Sequence, residues 1–141
     1  MGDFMRLLVA ALMALPGLAW AGAPPAEPLD VPNLPIAERA SAATVRLYEP
    51  HTEAPNAMPT PAAKTILGEV SATSCQRWPT SPFATKEDAA LQLQIRARRM
   101  GATAVISVVY REDFARGLGP HVKGTPCMAV VFAIGIAITT E

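Results

Sequence analysis

The sequence has little of three things that mark many binding or catalytic proteins: aromatic side chains, charge of one sign, and cysteine. Aromatic residues make up 6% of the chain, so we expect no aromatic platform for ligands. The 12 Lys and Arg residues balance 12 Asp and Glu residues, so nothing attracts nucleic acid phosphates or an anionic membrane. No serine stands in a G-x-S-x-G motif. We therefore expect no catalytic site, no nucleic-acid partner and no small-molecule substrate.

The first 21 residues have the features of an export signal. Arg6 gives a short positive region, residues 7–18 form a hydrophobic stretch, and Ala19 and Ala21 are the small residues that a signal peptidase reads. We predict cleavage between Ala21 and Gly22. A retained membrane anchor is the alternative, but the stretch is shorter than the roughly 20 residues that span a bilayer.

Export changes how the two cysteines, Cys75 and Cys127, are interpreted. In an oxidising compartment two cysteines usually pair, so we predict one structural disulfide between them. A redox role favours a close pair such as C-x-x-C, and none is present. No pair among the cysteines, His51 and His121 has zinc-site spacing, so we expect no metal and no cofactor. A metal- or thiol-handling protein that uses Cys75, Cys127 and His121 is the alternative function.

Proline and alanine divide the chain into a linker and a domain. Residues 22–43 are rich in both, and proline favours extended, solvated backbone, so this range is predicted to be a linker. The pattern does not separate a linker from plain disorder. At residues 44–48, apolar Val45 and Leu47 alternate with polar neighbours, which predicts an edge strand. The folded domain is expected over residues 44–141.

The remaining sequence predicts three more strands and one helix. Residues 66–75, 103–110 and 128–140 are rich in β-branched side chains and are predicted strands, and Gly68 is expected at a bulge or a close backbone approach. Residues 111–126 contain glycine and proline and are predicted to form a loop. The order β-β-α-β-β predicts an α+β fold, a small sheet of about four strands with one helix packed on a face.

The helix has clear ends and two apolar faces. Thr85 is a suitable N-cap with Asp88 three positions later, and Gly101 can end the helix. The residues expected to face the sheet are Ala89, Leu93, Ala97 and Met100. Leu91 and Ile95 lie on nearly the opposite side, where the N-terminal segment or a partner protein can cover them; they are otherwise two scattered surface hydrophobes. We assign Leu91 and Ile95 to a partner-binding surface near the 111–126 loop.

Several segments together form a recognisable pattern: Val45-Arg46-Leu47-Tyr48, Leu67-Gly68-Glu69-Val70-Ser71, Ser74-Cys75-Gln76, the helix residues Ile95, Ala97 and Met100, residues 102–105, and Cys127 with Gly135 eight residues after it. This pattern resembles the RcsF family, whose members are outer-membrane lipoproteins that sense envelope damage and activate the Rcs phosphorelay. The resemblance covers residues 44–140 and implies a small sheet, a helix and disulfides. It also implies function through contacts with outer-membrane barrel proteins, the barrel assembly machinery and an inner-membrane signalling protein, without catalytic residues.

Two departures from that family stand out. The family has a second disulfide, and the positions that match it hold Tyr110 and Ala133. A lipoprotein signal needs a cysteine after the cleavage site, and Gly22 stands there. We therefore expect a protein exported to the periplasm without a lipid anchor, which reaches the outer membrane only through its partners.

Overall fold

The computed structural model describes residues 26–50, 59–114, 121–122 and 125–140. These residues form two α-helices, one 3₁₀ turn and six strands. The turn is Val31–Asn33, the helices are α1 (Ile36–Ala42) and α2 (Lys86–Arg99), and the strands are β1 (Arg46–Leu47), β2 (Thr65–Gln76), β3 (Ala104–Phe114), β4 (His121–Val122), β5 (Thr125–Pro126) and β6 (Ala129–Thr139).

Four of the strands build one mixed sheet in the order β1-β3-β6-β2. β6 pairs antiparallel with both of its neighbours, and β1 pairs parallel with the start of β3. β4 and β5 form a separate antiparallel pair. The predicted α+β fold is confirmed, with the segment around Val45 at an edge of the sheet and β6 inside it.

The main core lies between α2 and one face of the sheet. Small and β-branched side chains dominate it; its buried members are Val45, Val70, Ala72, Ala89, Leu93, Ala97, Ala102, Val105, Val108, Val131, Ala133 and Ala137. Because the chain has few aromatic residues, α2 can approach the sheet closely. The predicted inner face of α2 is confirmed: Ala89, Leu93 and Ala97 are buried. Met100, at the C-cap, is 38% exposed, but its terminal methyl lies beside Gly68 of β2.

Both ends of α2 follow their predicted signals. The Thr85 side chain accepts a hydrogen bond from Asp88 N at 3.0 Å, and Gly101 has a φ of +86°. The reciprocal bond from the Asp88 carboxylate to Thr85 N does not form, because Ser74 Oγ of β2 accepts that N–H at 3.1 Å. The start of the helix is therefore fixed by its own cap and by the sheet.

Two bulges shape the long strands. The pairing of β2 with β6 shifts between Ile66 and Gly68, where Gly68 has a φ of +133°, so the predicted bulge is confirmed. A second shift lies in β3 between Ile106 and Val109, where Ser107 has a φ of 54°. This conformation is uncommon for a residue other than glycine, and the sequence carries no glycine to signal it.

The structure corrects the predicted end of β3. We expected a loop from Arg111, but β3 pairs with β6 as far as Phe114. Arg111 and Glu112 are exposed. Their polar side chains gave no strand signal in the sequence, although the backbone continues the pairing with β6. Residues 115–120 and 123–124 of the expected loop lie outside the described range.

The structure also corrects the predicted linker over residues 26–43, which we call the strap. The strap contains the 3₁₀ turn and α1, and Val31 and Ala42 are buried in a cluster with Ile95 of α2. Proline fixes φ without preventing burial of its neighbours, so a proline-rich segment with Leu29, Val31 and Leu34 can pack as well as extend.

The predicted cleavage site, Ala21 and Gly22, lies outside the described residues. Within them, no helix is long and apolar enough to cross a membrane.

Candidate binding surface at the disulfide end

The predicted disulfide is present and fixes one end of the sheet. Cys75 is the penultimate residue of β2 and Cys127 precedes β6, with their Cα atoms 5.5 Å apart. Met128 N donates to Gln76 O at 2.7 Å, which extends the β2–β6 ladder to this end. Cys127 is buried and packs with Val130. The bond therefore joins two adjacent strand ends that the ladder already holds together.

The loop from the disulfide to α2 is braced by hydrogen bonds. Trp78 N donates to Ser81 Oγ at 3.3 Å, and Ser81 N donates to Trp78 O at 3.0 Å. The buried side chain of Gln76 also donates to Trp78 O at 3.3 Å. Because these bonds return to the end of β2, the backbone around Trp78 has a defined position.

This loop carries the most exposed aromatic side chains of the described residues. Trp78 is 64% exposed and Phe83 77%, and Met128 at the start of β6 is 43% exposed. We call these three residues the disulfide-end patch. Large apolar side chains left exposed on a small protein are candidates for an interaction site, and Trp and Met are enriched at protein interfaces. The low aromatic content did not predict this surface, and only Pro79 and Pro82, which lie between Trp78 and Phe83, indicated a loop.

A cleft of about 770 Å³ lies beside the disulfide-end patch. Phe83, Arg77 and Cys75 line it from the loop and β2, the strap contributes residues 28–32, and α2 contributes Asp88 and Gln92. Apolar and polar groups are mixed along its walls. Such a surface is suited to a polypeptide segment with both side-chain and backbone contacts.

Gln92 is the buried polar side chain that joins the strap to α2. It is 2% exposed, its Oε1 accepts from Leu29 N at 2.8 Å, and its Nε2 donates to Asp88 Oδ2 at 2.8 Å. Gln92 was not among the residues predicted to have a functional role. Its spacing of four residues from Asp88 was the available signal, since such pairs meet on a helix.

Leu91 and Ile95, the predicted partner-binding residues, lie under the strap. Ile95 is fully buried and Leu91 is half-buried, both in the cluster that includes Val31 and Ala42 of the strap. A segment of the same chain thus covers this face of α2, one of the two covers that the pattern left open. Binding of a separate partner by Leu91 and Ile95 stays a prediction.

Three arginines in the last turn of α2 also contact the strap. Arg96 donates to Glu27 O, Arg98 Nε donates to Ser41 Oγ at 3.0 Å, and Arg99 Nε lies 2.7 Å from Glu38 Oε1. Burial lowers the pKa of the Arg96 guanidinium from its usual value, although an arginine stays charged in proteins. Because these contacts are largely exposed to solvent, each contributes little to stability.

A second polar cluster, at the start of α2, is structural in character. Lys86 Nζ lies 2.8 Å from Glu49 Oε1 and 4.6 Å from the centre of the Tyr110 ring. The hydrogen bond to Glu49 raises the pKa of Lys86, and burial raises the pKa of Tyr110. The cluster ties the segment after β1 to α2 and β3, with no arrangement of nucleophile and base.

The alternative metal- or thiol-handling site is not assembled in the described residues. Cys75 and Cys127 are joined to each other, so neither offers a free thiol in this state. The described residues contain no group of three or more His, Cys, Asp or Glu side chains placed to hold a metal. His51 lies outside the described range, and only the backbone of His121 is described, in β4.

No protein-family model matches the sequence, and no curated protein matches it either. Among solved structures, the chain is similar to a protein of unknown function from Pediococcus pentosaceus ATCC 25745 that belongs to the DUF74 family. The identity is 19%, the TM-score is 0.42, and the match covers 69% of this chain and 98% of the other. A likeness of that size carries no argument about function.

Proposed function

We propose that this chain is a non-enzymatic periplasmic protein of the RcsF type, which acts through protein–protein contacts in envelope stress sensing. The observation that carries the proposal is the disulfide-end patch: Trp78 and Phe83 are exposed on a hydrogen-bonded loop beside an open cleft. Binding energy at protein interfaces is concentrated in a few aromatic anchors. A braced loop presents such an anchor with little loss of conformational freedom on binding.

The position of the missing second disulfide supports the resemblance on which the proposal rests. Tyr110 and Ala133, which match the family's second cysteine pair, are direct partners across β3 and β6. Directly opposed residues in an antiparallel pair have Cα atoms about 4.5–5.5 Å apart, within the range that a disulfide bridges. Positions assigned only by resemblance therefore fall where a bridge could join them.

The proposed location rests on the export signal and the disulfide. A disulfide is typical of an oxidising compartment such as the periplasm. In this proposal, association with the outer membrane passes through barrel proteins or another envelope protein bound to the disulfide-end patch. Signalling to a phosphorelay would then pass through an inner-membrane partner.

Site-specific photo-crosslinking in the periplasm tests the proposal. A photoreactive phenylalanine analogue is placed at Trp78, and in a matched control at Ile66, which is 69% exposed at the opposite end of β2. We expect a discrete envelope protein to be captured from position 78 and not from position 66. Trp78→Glu should weaken binding of that protein by roughly 30-fold, the effect of losing an interface hot spot.

Two results would count against the proposal. Equal capture from both positions would mean that the crosslinks report only exposure. Absence of any discrete product from position 78, in resting and in envelope-stressed cells, would remove the disulfide-end patch as a partner surface.

A further inference from the structure

The strap contacts α2 in the way that a bound peptide contacts a groove. Its first part, residues 26–35, has no α-helix or strand; it contains the 3₁₀ turn at Val31–Asn33, after which Leu34 is extended. Leu29 and Val31 supply apolar contacts, and the buried Gln92 side chain accepts a hydrogen bond from the backbone N–H of Leu29. The Gln92 amide contacts the main chain of the strap. This contact therefore does not depend on which side chain stands at that position.

Gln92 is held ready for this contact by its own helix. Its Nε2 donates to Asp88 Oδ2, so its Oε1 points toward the strap. If the strap served only as an apolar cover, an aliphatic residue at position 92 would suffice and would leave no polar group to satisfy. The strap therefore occupies a groove with one fixed polar contact and an apolar floor formed by Leu91 and Ile95.

The contact between strap and helix is imperfect. Two buried guanidinium nitrogens, Nε of Arg39 in α1 and Nε of Arg96 in α2, have no hydrogen-bond partner in the described part of the chain. An unpaired buried donor disfavours the packed state. Of the strap residues, only Val31 and Ala42 are buried, whereas the main core has a dozen buried residues. The strap is thus held more weakly than the sheet.

The cleft beside the strap provides an entry for a competing chain. It is bounded by strap residues 28–32 on one side and by Phe83 on the other, and it reaches Gln92. An incoming segment can lie in this open space before it replaces the strap. The groove on α2 and the disulfide-end patch are joined through this cleft.

We propose that the outer face of α2 is a binding groove for an extended, proline-flanked apolar peptide, and that residues 26–35 are its intramolecular ligand. A partner segment of the same chemistry binds by displacing the strap, and Gln92 then accepts a backbone N–H from the partner. The apparent affinity for the partner is the intrinsic affinity multiplied by the fraction of time that the strap leaves the groove open. This inference goes beyond the proposed function and does not need the disulfide-end patch to bind anything.

Native-state hydrogen exchange on the oxidised full chain gives the first test. We expect the amides of Leu29, Leu34 and Arg39 to exchange at least 100-fold faster than those in the middle of β6, through an opening that leaves the sheet folded. Gln92→Leu removes the acceptor of Leu29 N and should speed exchange of that amide roughly 3- to 10-fold.

Gln94→Leu is the matched control, because Gln94 lies on the same helix and donates to Val45 O, outside the strap. It should leave exchange at Leu29 unchanged. If the strap amides exchange only through global unfolding, with the same rate-limiting opening as β6, the strap is a fixed part of the core and the proposal is overturned.

Binding in trans gives the second test. The probe is a labelled peptide of residues 26–35, Ala-Glu-Pro-Leu-Asp-Val-Pro-Asn-Leu-Pro, and binding is measured by fluorescence anisotropy. The chain with Leu29→Asp and Val31→Asp releases its own strap and should bind the probe at least 10-fold more tightly than the unaltered chain. Adding Gln92→Leu should reverse the gain, and adding Gln94→Leu should not.

A peptide that carries the same two aspartates serves as the negative probe. Equal binding of both peptides would show non-specific adhesion and would overturn the proposal. So would absence of binding to the released chain, provided that its circular dichroism shows an intact fold. Neither result bears on crosslinking at Trp78, so a failure here is distinguishable from a failure of the proposed function.

Discussion

At the scale of single residues, Gly135 shows how the bulge in β3 constrains its neighbour. Ile106 pairs with Ile136 and Val109 with Ile134, so Gly135 alone lies opposite the two bulge residues, Ser107 and Val108. A Cβ at Gly135 would lie 2.5 Å from Val105 Cγ1 and 3.0 Å from Ile106 O. The strands are too close there for any side chain, so glycine is required by space.

We predict that Gly135→Ala lowers the free energy of unfolding by about 1–3 kcal/mol, the usual effect of overpacking a core. The measurement is urea unfolding followed by circular dichroism. Adding Val105→Ala removes the nearest atom and should make the two changes non-additive, recovering part of the loss. Strictly additive effects, or an unchanged urea midpoint for Gly135→Ala, would contradict the close approach of β3 and β6 at Gly135.

Single residues also mark where sequence reasoning ends. Gly68, Thr85 and Gly101 were predicted correctly because each has a local physical role in a bulge or a helix end. Gln92 was not identified, since its partner Leu29 is 63 residues away in sequence. A buried polar contact of that range leaves no periodic signal in the chain.

At the scale of elements, the register between β3 and β6 determines which side chains meet on the sheet. Past the bulge, Tyr110 pairs with Ala133 and both side chains pack at the main core. A shift by one residue would move Tyr110 to the other face. The two positions therefore test the strand register and the family correspondence together.

We predict that the double variant Tyr110→Cys with Ala133→Cys forms a second disulfide spontaneously under oxidising conditions, because directly opposed residues lie within bridging distance. Peptide mapping without reduction should show the pair 110–133 beside the native Cys75–Cys127. Val109→Cys with Ala133→Cys is the control, since those side chains point to opposite faces, and it should titrate two free thiols. Two free thiols in the first variant would contradict the register.

The elements themselves were largely predictable, and their extensions were not. Local features predict strands β2 and β6 and helix α2: runs of β-branched residues for the strands and capping residues for the helix. The last residues of β3 carry polar side chains, and the strap combines helix-disfavouring prolines with a few apolar anchors. The end of β3 forms because β6 is beside it, and the strap folds because it packs on α2. Such contacts between segments distant in sequence leave no local pattern that predicts them.

At the scale of the whole molecule, the chain has two layers of unequal strength around α2. The inner face of α2 shares the main core with the sheet, while the outer face holds the strap through a cluster of three buried residues. The disulfide belongs to the stronger layer, where it joins β2 to the start of β6. The cleft lies between the strap, α2 and the loop that carries Phe83.

The disulfide should contribute a large share of the stability of this small domain. Its two cysteines are 52 residues apart in sequence, and the loop-entropy relation gives about 4 kcal/mol for a loop of that length. We predict that Cys75→Ser lowers the free energy of unfolding by about 2–5 kcal/mol, measured by denaturant unfolding. The effect acts mainly on the unfolded chain, because the Met128–Gln76 hydrogen bond and the rest of the ladder hold the strand ends together without the sulfur atoms.

Two controls separate the loop effect from damage to local packing. Reductant should lower the stability of the unaltered chain to that of Cys75→Ser and should leave Cys75→Ser itself unchanged. Cys127→Ser changes a fully buried position, so any loss beyond that of Cys75→Ser reports packing around Val130. If reductant and Cys75→Ser both leave the unfolding midpoint where it was, the bond does not restrict the unfolded chain and this account of the fold's stability is wrong.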